Sequence, residues 1–232
     1  MRHVAHASVS APRAKPLKRP SQARARFTVQ AIYDAFVRLW QAEGWERLTT
    51  RAVALETGIS VGTLYDYFPN KQALLSGYVR QAMDVVLAAI DKQVVQANDA
   101  PWQERLHQLL RLTVNIDAPE LMYYDCQMLT LEHQIAEPKH HRRVHDEIVA
   151  AWSKALNACA DLPHPPSPLT VQTLCLSVVG ATRYRMLVHA DNDAKARAWA
   201  EELERQCRLV LSAPSQPQSV THESEQARRP RP

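Results

Sequence analysis

The chain has 232 residues, 46% hydrophobic and 22% charged, with a formal net charge of +4. It is long enough to bury one or two cores, which excludes a tail, a linker or a disordered segment. Residues 1–20 contain no apolar stretch that could form a signal-peptide core, and no later run approaches the ~18 consecutive apolar residues of a membrane span, so a cytoplasmic protein with no membrane partner is expected.

Charge is unevenly spread. Arg2, Arg13, Lys15, Lys18, Arg19, Arg24 and Arg26 fall within residues 1–30, which contain no acid, whereas the rest of the chain up to residue 212 is slightly acidic. A basic arm over 1–25 ahead of an acidic body is suited to holding phosphates or entering a minor groove; a solubilising tail is the alternative. Prolines cluster in this arm, between Pro163 and Pro168, and in a tail over 213–232 that is expected to be flexible. Pro69, Pro101, Pro119 and Pro138 instead stand just before or at the start of apolar-periodic stretches, where a missing N–H costs a helix nothing.

No alternating strand pattern is found. The expected fold is all-α with about nine helices, near residues 26–43, 50–57, 61–67, 71–96, 101–116, 118–135, 138–161, 168–190 and 192–212. In the first, Phe27, Ile32, Ala35, Phe36, Leu39 and Trp40 share one face, and Gly44 follows as a stop. Thr49 is placed to cap the second, with Val53, Ala54 and Thr57 inward. Gly58-Ile59-Ser60 then forms a tight turn, with Ser60 as cap of the third. In that third helix Leu64 and Phe68 point to the core and leave Val61, Gly62, Thr63, Tyr65 and Tyr67 largely outside. Two short helices joined by a three-residue turn make a helix-turn-helix.

The run LTTRAVALETGISVGTLYDYFPNKQALL, Leu48 to Leu75, resembles the signature of TetR-family regulators. A Thr-rich helix start, a Gly turn, a G-T-L-Y recognition helix and an F-x-N-K-x-x-L helix start follow one another in that order. The likeness covers about 50 residues with the first helix included, and correct spacing over four consecutive helices is far more specific than a lone helix-turn-helix. It implies a DNA-binding domain over 26–76 and a helical effector-binding and dimerisation domain over 77–212. It also implies a ligand-responsive repressor that binds a palindromic double-stranded operator as a homodimer, not an enzyme.

By that resemblance, Thr49, Thr50 and Arg51 would hold phosphate, and Ser60, Val61, Gly62 and Thr63 would stand at the base-reading end of the third helix. Tyr65, Tyr67 and Lys71 would contact the phosphate backbone. Asp66 departs from this chemistry and is expected to turn away from DNA.

In the remaining chain, Asp117 with Glu120 reads as a capping box for a helix starting at 118, and Ser167-Pro168 as the start of the eighth helix. Trp102, Met122, Tyr123, Tyr124, Met128, Trp152, Tyr184 and Met186 could line a cavity for a small, mainly apolar effector, or fill the core. Leu176, Val179, Arg183, Trp199 and Leu203, on the last two helices, are expected at the homodimer interface. His141 and His145 stand four apart, which would allow a shared metal, but a solvated polar face is the simpler reading and no cofactor is expected. Cys126, Cys159, Cys175 and Cys207 include no CxxC pair and read as reduced thiols. A helical enzyme with a His/carboxylate site is the alternative function; the chain lacks a paired Glu-x-x-His set, a nucleophile motif and a phosphate-cradling glycine loop.

Overall fold

The computed structural model describes residues 23–188 and 193–214. Among the described residues the secondary structure is helical: α1 (Ala23–Arg47), α2 (Thr50–Thr57), α3 (Val61–Tyr67), α4 (Lys71–Ile90), α5 (Trp102–Val114), α6 (Cys126–Ile135), α7 (Pro138–Asn157), α8 (Pro168–Val188) and α9 (Asp193–Ser212). The C-terminal end of α4 runs into a π-helical turn, Asp91–Val95. Most of the basic arm and nearly all of the tail lie outside the described residues, although α1 already starts at Ala23, inside the expected arm.

The N-terminal head is built by local signals. Gly44 leaves helical geometry at φ 74°, which interrupts α1 where a stop is expected, but the helix resumes to Arg47. The Thr49 side chain accepts from the Ala52 N–H, Ser60 from Thr63 and Asn70 from Ala73, so each of α2, α3 and α4 starts on a side-chain cap. Gly58 closes α2 in the left-handed region, its N–H reaching back to Ala54 and Leu55. Ile32, Phe36, Trp40, Val53, Ala54, Leu64 and Phe68 meet in one core, with Tyr33 and Tyr78 wedged among the rings. Phe27, expected on the inner face, is exposed, because the head core begins two residues later at Val29.

The second core gathers α5, α7, α8 and α9 with the end of α4, around Ile90, Leu109, Trp152, Cys175 and Val178. Arg105 is buried in this region, where its guanidinium donates to the carbonyls of Ala97 and Ala158 and ties the α4–α5 connection to the end of α7. By length and composition the helix Lys71–Val95 could cross a membrane, contrary to the expectation that no segment comes near. Counting uninterrupted apolar residues misses it, since Arg80 and Asp84 break the run. Here it is the central helix, packed on α5, α6 and α7, with Arg80 paired to Asp84 and Glu147.

The largest departure from the expected helices is at 118–135. Residues 118–125 are not helical, and Asp117 adopts a positive φ, 51°, so it caps nothing. Its carboxylate instead pairs bidentately with Arg197 of α9 at 2.8 Å, while Arg111 binds the Asp117 carbonyl and the Glu120 carboxylate. That arginine holds the Glu120 carboxyl down to about 2. α6 starts eight residues later than expected, on Asp125, whose side chain accepts from the Met128 N–H. α7 ends at Asn157 rather than 161, ahead of the proline-rich connection.

Candidate nucleic-acid interface and ligand cleft

The helix-turn-helix residues are brought together at one end of the head. Thr49 caps α2; Thr50, in its first turn, has its hydroxyl 3.2 Å from that of Tyr65 on α3, which fixes the two helices to each other across the turn. Ser60 accepts the Thr63 N–H at 3.0 Å and shares a hydrogen bond with the Thr63 hydroxyl at 2.9 Å. Arg51, Gly62, Tyr65 and Asp66 are exposed, whereas Val61, Thr63 and Tyr67 are half-buried. A methyl group built on Gly62 would make only an ordinary contact, 3.7 Å from the Ser60 hydroxyl, so the protein's own packing does not demand glycine there. The backbone at that point is left open to an approaching surface.

Lys71 is placed differently from the expectation. Its ammonium donates to the Trp45 carbonyl at 3.0 Å and sits 4.2 Å from the centre of the Trp45 ring. The charge therefore staples the end of α1 to the start of α4, a cation–π contact that also satisfies one carbonyl at a helix end.

A cleft of about 1670 Å³ opens where the head meets the body. It is lined from α1 by Val29 and Tyr33, from α4 by Val79, Arg80 and Met83, and from α6, α7 and α8 by polar and apolar groups together. Of the eight residues proposed for it from sequence, Met122, Tyr123, Tyr124 and Met186 line it. The other four do not. Trp102 and Trp152 fill the body core, the Trp152 indole donating to the Thr113 hydroxyl at 3.1 Å. Met128, on α6, packs its side chain into the head core, and Tyr184 is exposed on α8. Large rings and flexible thioethers suit a cavity wall and a packed core equally well, and only the tertiary arrangement separates the two.

Glu132 lies at the polar end of the cleft, buried to 8% exposure. The Tyr124 hydroxyl donates to it at 2.5 Å, the Arg183 guanidinium lies 3.7 Å away and the His141 ring 4.0 Å away. Burial, together with the Glu132 charge, pushes the Tyr124 hydroxyl far above its ordinary pKa, so it stays a donor. His133 stacks on His141 at 5.1 Å, and His140 and His145 also line the cleft. The His run on α7, read from sequence as a solvated face, is thus a cleft wall. Among the described residues no three His, Cys, Asp or Glu side chains are gathered in a way that could hold a metal.

The loop leading into α6 ties the cleft to the head. Trp40 of α1 donates its indole N–H to Asp125 at 2.7 Å, and the Tyr78 hydroxyl donates to the Tyr123 carbonyl at 2.7 Å. Burial and the neighbouring Asp125 push the Tyr123 hydroxyl up to about 12.

Of the five expected interface residues, only Leu176 lies on the exposed apolar stripe of α8, which also carries Leu169, Tyr184, Leu187 and Val188. Leu203 is buried in the protomer's own core, Val179 packs against that core, Arg183 faces Glu132, and Trp199 is partly covered by the Arg185 guanidinium 5.5 Å from its ring centre. α8 is apolar on both sides, so periodicity cannot say which side faces inward. On α9 the exposed apolar residues are Leu209 and Val210.

A capped pair of short helices with an open N-terminal end on the second, set on a three-helix head and joined to a helical body, defines a helix-turn-helix regulator. Residues 32–77 match the family described as bacterial regulatory proteins, tetR family. That stretch, which makes up most of the N-terminal head, is a domain of that family. It is 36% identical over 72 residues to the HTH-type transcriptional repressor KstR of Mycobacterium tuberculosis, covering 31% of this chain and 32% of KstR. It is 29% identical over 80 residues to an uncharacterised HTH-type transcriptional regulator of Haemophilus influenzae, covering 34% of this chain and 42% of the relative. These matches span less than half the length of the curated relatives. A TetR transcription regulator from Haloarcula marismortui shares the fold at a TM-score of 0.57 and 19% identity, over 78% of this chain and 98% of that one. The family and these relatives are transcriptional regulators, not enzymes, and the enzymatic alternative is set aside.

Proposed function

We propose that the protein is a cytoplasmic transcriptional repressor that binds a palindromic operator as a homodimer and is released by a small, mainly apolar effector held in the cleft. The observation that carries the reading is the start of α3, where Ser60 and Gly62 are exposed and Val61 and Thr63 half-exposed, beside the Thr50–Tyr65 link. A helix end of this kind is presented to base edges in a major groove, while Thr49, Thr50, Arg51, Tyr65 and Tyr67 hold the flanking phosphates. The KstR relative, itself named a repressor, supports the direction of the effect. Lys71 acts on DNA indirectly, by setting α4 against α1.

The homodimer reading rests on the exposed apolar residues of α8, Leu169, Tyr184 and Leu187, with Leu176 at the border between this stripe and the cleft. Gly180 lies on the same helix, and a methyl group built there meets nothing within 4 Å, which leaves room for a partner helix. Release would work through the α6 loop as well as α4, since the cleft wall is bonded to Trp40 and Tyr78 of the head. An effector shifts this equilibrium only by its differential affinity for the two arrangements, and a coupling of ~1 to 3 kcal/mol corresponds to roughly 5- to 150-fold derepression.

The deciding experiment is a gel shift with duplex DNA flanking the protein's own gene. Saturable binding that Tyr65→Ala weakens without unfolding the protein is the expected result; undiminished binding by a folded Tyr65→Ala variant would overturn the assigned docking. Deleting residues 1–22, which lie outside the described structure, should flatten the salt dependence of binding, because each lost phosphate contact removes about one released counterion.

A further inference from the structure

The cleft is amphiphilic, and its two characters are segregated. Along α8, Leu176, Val179, Arg183 and Met186 recur at three- and four-residue spacing and line it together, so one helix face carries three apolar residues and one guanidinium. The Arg183 side chain is 28% exposed, and its ionic neighbour Glu132 is 3.7 Å away, too far for a hydrogen bond. The Glu132 carboxylate already accepts the Tyr124 hydroxyl at 2.5 Å, so the planar fork of Arg183 keeps donors for another acceptor. Two residues on, the buried Nε–H of Arg185, whose side chain also reaches the cleft wall, has no hydrogen-bond partner.

The fixed charges of the lining favour an anion. Arginines 26, 80, 143, 183 and 185 outnumber the carboxylates of Asp84, Asp125 and Glu132. Asp84 is engaged by Arg80, and Asp125 is spent on the α6 cap and the Trp40 indole. Arg80 and Arg143 share Glu147, which leaves Arg183 as the guanidinium facing Glu132 at the polar end, while that of Arg185 lies over the Trp199 ring. A cationic ligand would meet a guanidinium there with its donors forward; a neutral one would leave those donors unused. A carboxylate matches the guanidinium fork with two parallel hydrogen bonds.

We infer that the cleft binds an amphiphile with an apolar chain and a single carboxylate, the carboxylate held by Arg183 and the chain running past Met186, Ile148 and Met83 toward Val29 and Tyr33 of α1. This deepens the effector reading above and rests on it only for what binding does to DNA. The volume of about 1670 Å³ exceeds the ~300–1,000 Å³ of common small-molecule pockets, which leaves space for a long chain. Its far end would touch the first helix of the reading head directly.

Calorimetry on the full chain, below the micelle threshold, compares dodecanoate with dodecan-1-ol and dodecyltrimethylammonium. Dodecanoate should bind at least about tenfold more tightly than the alcohol, and the cation most weakly. Arg183→Gln should bring the acid to within about twofold of the alcohol while leaving the alcohol's own affinity unchanged. Equal affinity for acid and alcohol, or a full acid preference surviving in Arg183→Gln, overturns the proposal. Should Arg183→Gln fail to fold, Glu132→Gln decides: removing the repelling carboxylate should tighten dodecanoate several-fold and not the alcohol, and no tightening counts against the assignment. Dodecanoate that binds as expected but leaves operator binding untouched would sink the regulatory reading and leave this one standing.

Discussion

The head and the body of this molecule are packed on different rules. In the head, Tyr33, Phe36, Trp40, Trp45, Phe68 and Tyr78 form a chain of ring contacts 5.2 to 5.8 Å apart, and three successive helix starts are capped by side chains. In the body the core is mostly aliphatic, α5 and α7 start without a side-chain cap, and the helices are held by long-range arginine contacts such as Arg105 to Ala158 and Arg197 to Asp117. A reading head must present its residues at fixed spacing, and dense ring packing fixes it. The body leaves volume unfilled along the junction, as the proposed effector role would require.

The sharpest way to break this comparison is to charge the body on its two faces. Leu203→Glu places a carboxylate in the apolar core shared by α5, α8 and α9 and should cost several kcal/mol, a large share of the ~5–15 kcal/mol that holds a domain together. The variant should lose its cooperative thermal transition by circular dichroism. Leu176→Glu, on the exposed stripe of α8, should melt like the parent protomer yet sediment as a monomer. A folded Leu203→Glu variant would mean that α9 is not packed as described.

The same contrast explains what could be read from the residues alone. The head was legible because its caps, turn glycine and inward positions lie within a few residues of one another: Ser60 and Thr63, Gly58 and Ala54, Leu64 and Phe68 each need only local geometry. In the body the decisive contacts join residues far apart in the chain, as in Arg197 with Asp117, and a carboxylate taken for a helix cap turns out to be the partner of a distant guanidinium. Met128 shows the limit well: its apolar character is plain, but its place in the head core depends on how α6 docks on α4. The cleft was half legible. The run Met122-Tyr123-Tyr124 marked it, whereas Glu132 and Arg183 gained their meaning only when α6 and α8 came together. A polar Arg between apolar Val179 and Met186 at helical spacing is the signal that could have found it.

Asp125 is where the two packing regimes are joined, so its loss should have the next largest effect. Asp125→Ala removes the α6 cap, worth ~0.5–2 kcal/mol, and strips the buried Trp40 indole of its acceptor, worth a further ~1–3 kcal/mol. At roughly 2–4 °C per kcal/mol for a chain of this size, the melting temperature should fall by about 3–20 °C. Asp125→Asn keeps one acceptor oxygen, enough for the α6 cap, but turns an amide NH2 toward the Trp40 indole N–H, so it should recover the cap's share and not the indole's. A variant without cap or indole partner that melted like the parent would show that the head stands independently of the α6 loop.

A smaller effect isolates the head. Gly58 holds φ at 74° in the turn between α2 and α3, where a Cβ meets no neighbour but strains the backbone. Gly58→Ala should therefore cost about 1 kcal/mol by conformation alone. Chemical denaturation should show a lower midpoint with an unchanged slope. Because the turn sets the angle at which α3 is presented, operator affinity should fall further than stability does; equal stability and equal affinity would mean that the turn does not need the left-handed conformation.

The smallest perturbation reads the body without changing it. Burial pushes the Cys175 thiol up to about 12 and the Cys207 thiol up to about 11, and raises that of Cys159 as well, so all three stay protonated and enclosed at pH 8. Since the thiolate is the reacting species, they should be silent toward a disulfide reagent. Cys126 is different: it is partly accessible, opens α6 directly after the Asp125 cap, and lines the cleft. Ellman's reagent should therefore find one fast thiol in the folded chain and four in guanidinium. A molecule seated in the cleft should slow that one reaction with the same saturation midpoint as its binding isotherm, because it covers the thiol without altering its chemistry. A body that allowed three or four thiols to react at one rate would be fluctuating open, and the packing contrast between head and body would then lie in dynamics rather than in a preformed cleft.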